Sequence, residues 1–437
     1  MFYMTISPFE ERYATEMNSF FDDAYKLKMW ISVEVALANV HAELGMIPKD
    51  AAVAIERAAP LVKRERVLEI EKEIHHDLMA MVKALSEQAG TAGNYVHVGA
   101  TSYDIEDTAL ALIFRDAIAL IELHLTELSI VLKSLALTHK KTICIGRTHG
   151  QHAVPTTYGM KFALYYQEAL RNLERLEESK KRMLVGKMSG AVGTMATFGK
   201  NGFIIQKKVM EKLGLHPARV TNQVIQRDRH AEIISNVALI ASLVEKIAKE
   251  IRNLQRTEIA EVAESFGSAQ VGSSTMPHKR NPHKSERLCS LARIVRTNVA
   301  VALENISLEH ERDLTNSANE RVIFSSSFIA CDYMLVQMKK ILEEVNFFPE
   351  NIQRNIAFTN GLIMAERLMI ALTASIGRQE AHELVRRLAL EAKKNNRHLK
   401  DLAKEKIKQL SSKQLDALFD VSTYIGEAEK IVELAVK

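Results

Sequence analysis

Four polar islands interrupt an otherwise helix-forming chain of 437 residues, and each holds residue types that move protons or hold anions. The densest is GSSTMPHKRNP, Gly272–Pro282, followed by Ser285 and Glu286. Hydroxyls, prolines, Lys279, Arg280 and Asn281 in one segment neither continue a helix nor build a core. They make a loop with hydroxyls at one end and fixed cations at the other. A plain interhelical turn rarely needs so many functional groups.

The second island is GRTHGQHAVPTT, Gly146–Thr157, where Pro155 and Thr156 are expected to open the next helix. His149 and His152 have a spacing that a zinc site also uses. No third ligand follows at a suitable distance and no H-E-x-x-H is present, so no metal is expected. A proton-transferring histidine beside a helix N-terminus fits better, because imidazole titrates near neutral pH. The third island, HVGATSYDIED, spans His97–Asp107. Thr101, Ser102 and Asp104 suit N-caps of a following helix, but capping does not explain His97. The fourth is His75-His76-Asp77 behind Glu71 and Glu73, a pattern more often a solvated face than a site.

Long helices must position these islands. Neither Gly nor Pro occurs between Gly99 and Gly146, between Pro217 and Gly267, or over 283–348. Strands would need turn punctuation about every 8–12 residues. Val237, Ile240, Val244, Ile247, Ile251 and Leu254 recur at helical spacing, and Leu288, Ala292, Val295, Val299, Ala302 and Ile306 repeat the pattern. The first seam turns polar at Glu258 and Glu261, so that helix end is expected to border a wet cavity. The second seam predicts a helix from Ser285 to His310. Residues 105–139 read as one helix about 50 Å long. The expectation is an all-α fold with three helical domains: 1–104, a central long-helix bundle over 105–360 carrying the Gly272–Pro282 loop, and a small 361–437 domain. The Gly-rich stretch Gly186–Gly202 lacks both dinucleotide and P-loop spacings and reads as an irregular loop.

Composition narrows the class. The formal net charge is only +4, and acids and bases interleave, so neither nucleic acid nor membrane is an expected partner. Cys144, Cys289 and Cys331 are scattered and read as reduced core thiols. MFYMTISPFEERY has no basic region leading into an apolar stretch, and no apolar run reaches about 18 residues. The expected location is the cytoplasm.

Taken together, the islands resemble the fumarase/aspartase superfamily, whose signature G-S-S-x-M-P-x-K-x-N-P is matched at every position by residues 272–282. Within it the chain resembles the adenylosuccinate lyase family. GRTHGQHAVPTT, His310–Arg321 (HERDLTNSANER), Thr221–Glu232 (TNQVIQRDRHAE) and Glu11-Arg12-Tyr13 carry that resemblance. It implies a lyase that eliminates fumarate from adenylosuccinate to give AMP, and from the succinylated aminoimidazole carboxamide ribotide. Ser273 matches the general base, His149 the general acid, and His76 the histidine that orients substrate. Lys279 and Asn281 match the groups that hold the carboxylate gaining charge. His97, Thr101, Ser102 and Gln223 match substrate contacts. Arg12, Tyr13, Arg312, Ser317 and Arg321 match the phosphate and carboxylate pocket. The family usually carries Arg where this chain has His75, and His76 keeps its assignment because Asp77 follows it.

The chemistry agrees with this inventory. Pulling a proton from carbon beside a carboxylate makes a dianion that fixed cations must meet, and Lys279 suits that task. A serine base needs positive charge and amides nearby to lose its own proton. The leaving nitrogen needs an acid, which His149 supplies, and no redox or metal cofactor is required. The rivals are argininosuccinate lyase, a cycloisomerase on the same scaffold, and a non-catalytic helical scaffold. The Arg312 and Arg321 pair favours a phosphorylated substrate, and the cycloisomerase branch lacks a histidine at the position of His149. A rod of about 50 Å holding Thr101 and Ser102 at its start and His149 past its end predicts sites shared between subunits of a homo-oligomer, a tetramer as in the family.

Overall fold

Where the chain lacks Gly and Pro it is helical, as its local propensities dictate. The computed structural model describes residues 7–267 and 275–437. Its long helices are Ser102–Thr138, Tyr158–Met183, Asp228–Leu254, His283–Glu304 and Ser317–Glu343, the first of them 37 residues without a break. The strands among the described residues are short and form two-stranded sheets only. The all-α expectation is therefore borne out.

The helix expected to reach His310 stops at Glu304. The following turns contain no Gly or Pro, but their polar side chains take over the backbone. Asp313 accepts the N–H of Glu309 at 2.6 Å and of Thr315 at 2.7 Å, and Asn305 and Asn319 pair their amides. Such local bonds compete with the helical ladder, and His310 sits in the left-handed region at φ 50°. Helix Ser317–Glu343 then runs back alongside helix His283–Glu304, with Asn298 donating to Ser326 and Ser327.

The chain forms two compact units, interleaved along the sequence. The first comprises the described residues of 1–126, 171–244 and 290–336. Its apolar centre stacks Phe114 against Phe328 and sets it edge-on to Phe324. Within it Arg227 is buried and gives its guanidinium to Asp107 (2.8 and 3.0 Å) and Glu320 (2.9 and 3.3 Å). A buried cation is tolerated only when its donors are met this fully. Burial opposes the charge, but the two carboxylates win and hold Arg227 protonated.

The second unit comprises the described residues of 127–170, 245–289 and 337–437. Its C-terminal helices pack Leu368, Leu372, Val385, Leu388, Leu399 and Leu402 into a core of their own. Val237, Ile240, Val244, Ile247, Ile251 and Leu254 are all buried, which confirms the seam read from their spacing. All three cysteines are free and buried. Among the described residues, no single helix is long and apolar enough to cross a membrane.

Candidate active site

In the first unit, helix ends and corners present the polar islands. Helix Arg64–Ile74 ends at His75, whose φ of 53° turns the chain sharply. His76 is then extended and caps helix Asp77–Ala89, its Nδ1 accepting the Met79 N–H at 3.4 Å. A backbone donor on Nδ1 leaves Nε2 facing outward. Asp77 accepts the Leu78 N–H at 2.8 Å and pairs with Arg321 at 2.8 Å. Burial pushes the Asp77 carboxyl up, but Arg321 and that backbone bond pull it below its usual range. The fourth island is thus a corner where His75 and His76 are exposed, as the sequence suggested, while Asp77 is tied to Arg321.

His97 also has a left-handed backbone, at φ 64°, and its ring meets Glu34. Thr101 stands just before helix Ser102–Thr138 and donates its N–H to Asp104 at 2.9 Å. Asp104 is fully buried, also accepting the N–H groups of Ser189 (2.8 Å) and Gly190 (3.0 Å) and the Lys187 ammonium. It therefore anchors the Gly-rich segment, while Thr101 and Ser102 remain at the surface of the helix start.

Gln223 accepts a hydrogen bond from Arg312 at 3.0 Å, and the Arg312 guanidinium lies 3.7 Å from the Tyr103 ring centre. The Arg312 Nε is buried without a partner. A buried, unpaired guanidinium donor is costly unless an anion meets it. Ser317 and Arg321, from the start of helix Ser317–Glu343, line a cavity of ≈ 270 Å³ with Lys26, Trp30, Tyr103 and Glu106. Burial, then Asp77 and Asp107, push the Glu106 carboxyl up to about 8, against the pull of Arg312 and Arg321. Arg12 is exposed, and Tyr13 packs edge-on against Tyr333.

In the second unit the sequence expectation needs correction. Pro155 and Thr156 do not open a helix; they lie in strand Gln151–Thr157, paired with Ile145 and Cys144 of strand Ile143–Thr148. Helix Tyr158–Met183 starts only afterwards. The turn between the strands is His149-Gly150, with φ of 52° and 73°. Positive φ at both central residues is what a two-residue hairpin turn needs. His149 is thus exposed at a hairpin tip. The missed signal was the β-branched alternation on both sides of a His-Gly pair.

Glu261 lies beside this hairpin. It was expected to face a wet cavity, but its side chain is 1% exposed. It takes hydrogen bonds from Arg147, Tyr158 and Asn355. Glu258 is exposed. The end of helix Asp228–Leu254 does border a cleft, of ≈ 1080 Å³, through Lys249, Arg252 and Asn253. Lys279, Arg280, Asn281 and Glu286 line the same cleft. Gln255 accepts the Glu264 N–H and donates to the Arg280 carbonyl, both at 3.1 Å, and the Glu264 carboxylate caps Lys284 and Ser285. Ser273 lies outside the described residues. The structure thus gathers His76, Asp77 and Arg321, and separately Gln223 and Arg312, in one unit. The other unit holds the His149 hairpin and the Lys279–Asn281 cleft.

The lyase family profile matches residues 11–296, and that of the adenylosuccinate lyase C-terminus matches 361–435. The chain is 56% identical to the adenylosuccinate lyase of Pyrococcus abyssi over 99% of its length and 98% of the relative's. The chain belongs to the adenylosuccinate lyase family. The Bacillus subtilis adenylosuccinate lyase is 41% identical, covering 97% of this chain and 98% of the relative. Among solved structures, a fumarate lyase from Mesorhizobium sp. BNC1 superposes with TM-score 0.90 at 32% identity, over 96% of this chain and 97% of its own. The 3-carboxy-cis,cis-muconate lactonizing enzyme from Pseudomonas putida gives TM-score 0.90 at 33% identity, over 98% of both chains. Within this adenylosuccinate lyase family chain, the residues that the sequence did not single out are Glu34, Tyr103 and Glu106. Only Glu34 left a signal, as a lone acid within an apolar helix (MWISVEVAL).

Proposed function

We propose that the chain is a C–N lyase converting adenylosuccinate to AMP and fumarate in purine nucleotide biosynthesis, and cleaving the succinylated aminoimidazole carboxamide ribotide by the same chemistry. The observation that carries this reading is full-length identity of 56% to an adenylosuccinate lyase. Ser273 removes the Cβ proton of the succinyl group, and the electron pair passes first into the adjoining carboxylate. Lys279 and Asn281 meet that charge. The pair then forms the double bond as the C–N bond breaks, and His149 gives its proton to the leaving nitrogen. His76 orients the substrate beside Asp77, with His75 next to it. His97, Thr101, Ser102 and Gln223 contact substrate, and Arg12, Tyr13, Arg312, Ser317 and Arg321 hold phosphate and carboxylate. The unpaired Nε of Arg312 supports an anion there.

The same proposal includes a cytoplasmic homotetramer with sites completed by neighbouring subunits. Helix Ser102–Thr138 has 37 residues, and at about 1.5 Å per residue it spans roughly 55 Å. Leu123, Ile130 and Leu137 are 53%, 61% and 38% exposed along it at heptad spacing, a stripe suited to another helix. The division into 1–104, 105–360 and 361–437 belongs here too, and the C-terminal profile beginning at residue 361 supports its last boundary. The structural likeness to a lactonizing enzyme keeps a cycloisomerase as the second reading, at the lower identity of 33%. A substrate panel tests the proposal. Fumarate absorbance should rise with adenylosuccinate and stay flat with argininosuccinate; the opposite pattern would reject it.

A further inference from the structure

Glu34 lies on helix Asp23–Glu43 between Val33 and Leu37, with its side chain 1% exposed. Both of its oxygens go to one residue. Oε1 lies 2.6 Å from the His97 Nδ1, and Oε2 accepts the His97 backbone N–H at 3.2 Å. One carboxylate therefore fixes the ring and the left-handed backbone of His97 at the same time. With Nδ1 committed, Nε2 is the ring atom left for a ligand. A carboxylate buried against the ring favours its protonated form over the neutral one.

We propose that Glu34 is the positioning residue of His97, fixing its ring orientation and keeping it cationic so that Nε2–H binds an anionic group of the substrate. This rests on the reading of His97 as a substrate contact. The charged groups that face the ring are Glu34 from helix Asp23–Glu43 and Asp104 from helix Ser102–Thr138, the latter itself paired with Lys187. Burial works against the charge on His97, but Glu34 first and Asp104 second outweigh it and hold the ring protonated above its usual range. The alternative is a purely structural strut between the helix and the His97 turn.

The isosteric Glu34→Gln variant separates the two. A Gln carbonyl still accepts from the ring, but its amide cannot accept the backbone N–H or hold the charge. We expect KM for adenylosuccinate to rise roughly tenfold, the scale of one charge-assisted hydrogen bond, with kcat changed far less. The alkaline limb of kcat/KM should move to lower pH. In a His97→Gln background the same change should cost little more, because the two residues act as one unit. Equal costs in both backgrounds with an unmoved alkaline limb would overturn the proposal. AMP and fumarate as inhibitors distinguish the anion: weaker AMP inhibition alone points to the phosphate, weaker fumarate inhibition alone to a carboxylate. No change for either would count against anion binding by His97. Should Glu34→Gln fail to fold, proton NMR titration of the wild-type protein, with His97→Gln to assign the resonance, decides the pairing. The His97 ring should titrate above ordinary histidine, and titration at or below it would refute the pairing. Wild-type kcat/KM in His97→Gln alone would instead refute the substrate-contact reading.

Discussion

Arg147 and Glu261, 114 positions apart in sequence, form an ion pair beside the hairpin that carries His149. Glu261 also accepts from Tyr158 and Asn355, so one buried carboxylate fastens the strand before the turn and the helix start after it. Burial pushes its carboxyl up, and Arg147, Tyr158 and Asn355 together pull it below the usual range.

Glu261→Gln should therefore destabilise the protein by about 3 kcal/mol at pH 7, because it strands Arg147 in a site that is nearly closed to water. The sign with pH follows from a depressed folded pKa. The stabilisation is complete above the ordinary value of 4.5 and is lost as pH falls through the lower folded value. Urea unfolding of both proteins checks this, and the gap between them should narrow from pH 6 to pH 3. A gap that stays constant over that range would mean that the charge of Glu261 contributes nothing.

Ser273→Ala and His149→Gln should each keep the circular dichroism of the parent and lose at least about a hundredfold in kcat, as expected for a proton-transfer group. Steady-state assays on the purified variants measure it. Near-normal turnover in either would remove that residue from its proposed role.

Glu106 predicts a pH effect of opposite sign. Its carboxyl is pushed up to about 8, so between its ordinary 4.5 and that value the folded state holds a proton that the unfolded chain releases. Ionising it costs stability as pH rises through this window. Glu106→Gln should leave Tm unchanged at pH 4 and raise it increasingly toward pH 8. Equal Tm values throughout would show that Glu106 is ionised normally.

Shared sites predict complementation. Inactive His97→Gln and His149→Gln proteins, mixed, partly unfolded and refolded together, should regain activity in mixed oligomers. No recovery despite demonstrated subunit exchange, or a fully active monomer on gel filtration, would exclude sharing.

Much of this architecture was legible because helix signals are local. The Gly- and Pro-free tracts and the Val237–Leu254 seam specify rods without any tertiary information. The His149 hairpin was not foreseen, since His-Gly is a weaker turn signal than Asn-Gly and Pro155 suggested a helix start. Asp313 and Asn305 ended a helix through side-chain bonds that no periodicity records. The partners that hold the site, Glu34 with His97 and Glu261 with Arg147, are separated by 63 and 114 positions. Such pairings come from packing, and spacing cannot reveal them. The family signature named Lys279 and Asn281, and the structure sets both in one cationic cleft.

The most direct measurement is the reaction itself. Purified protein would be mixed with adenylosuccinate, and AMP and fumarate quantified together by chromatography as the substrate disappears. Equimolar appearance of the two products, abolished by Ser273→Ala, is the predicted result. Intact adenylosuccinate after prolonged incubation with folded, oligomeric protein would contradict the account.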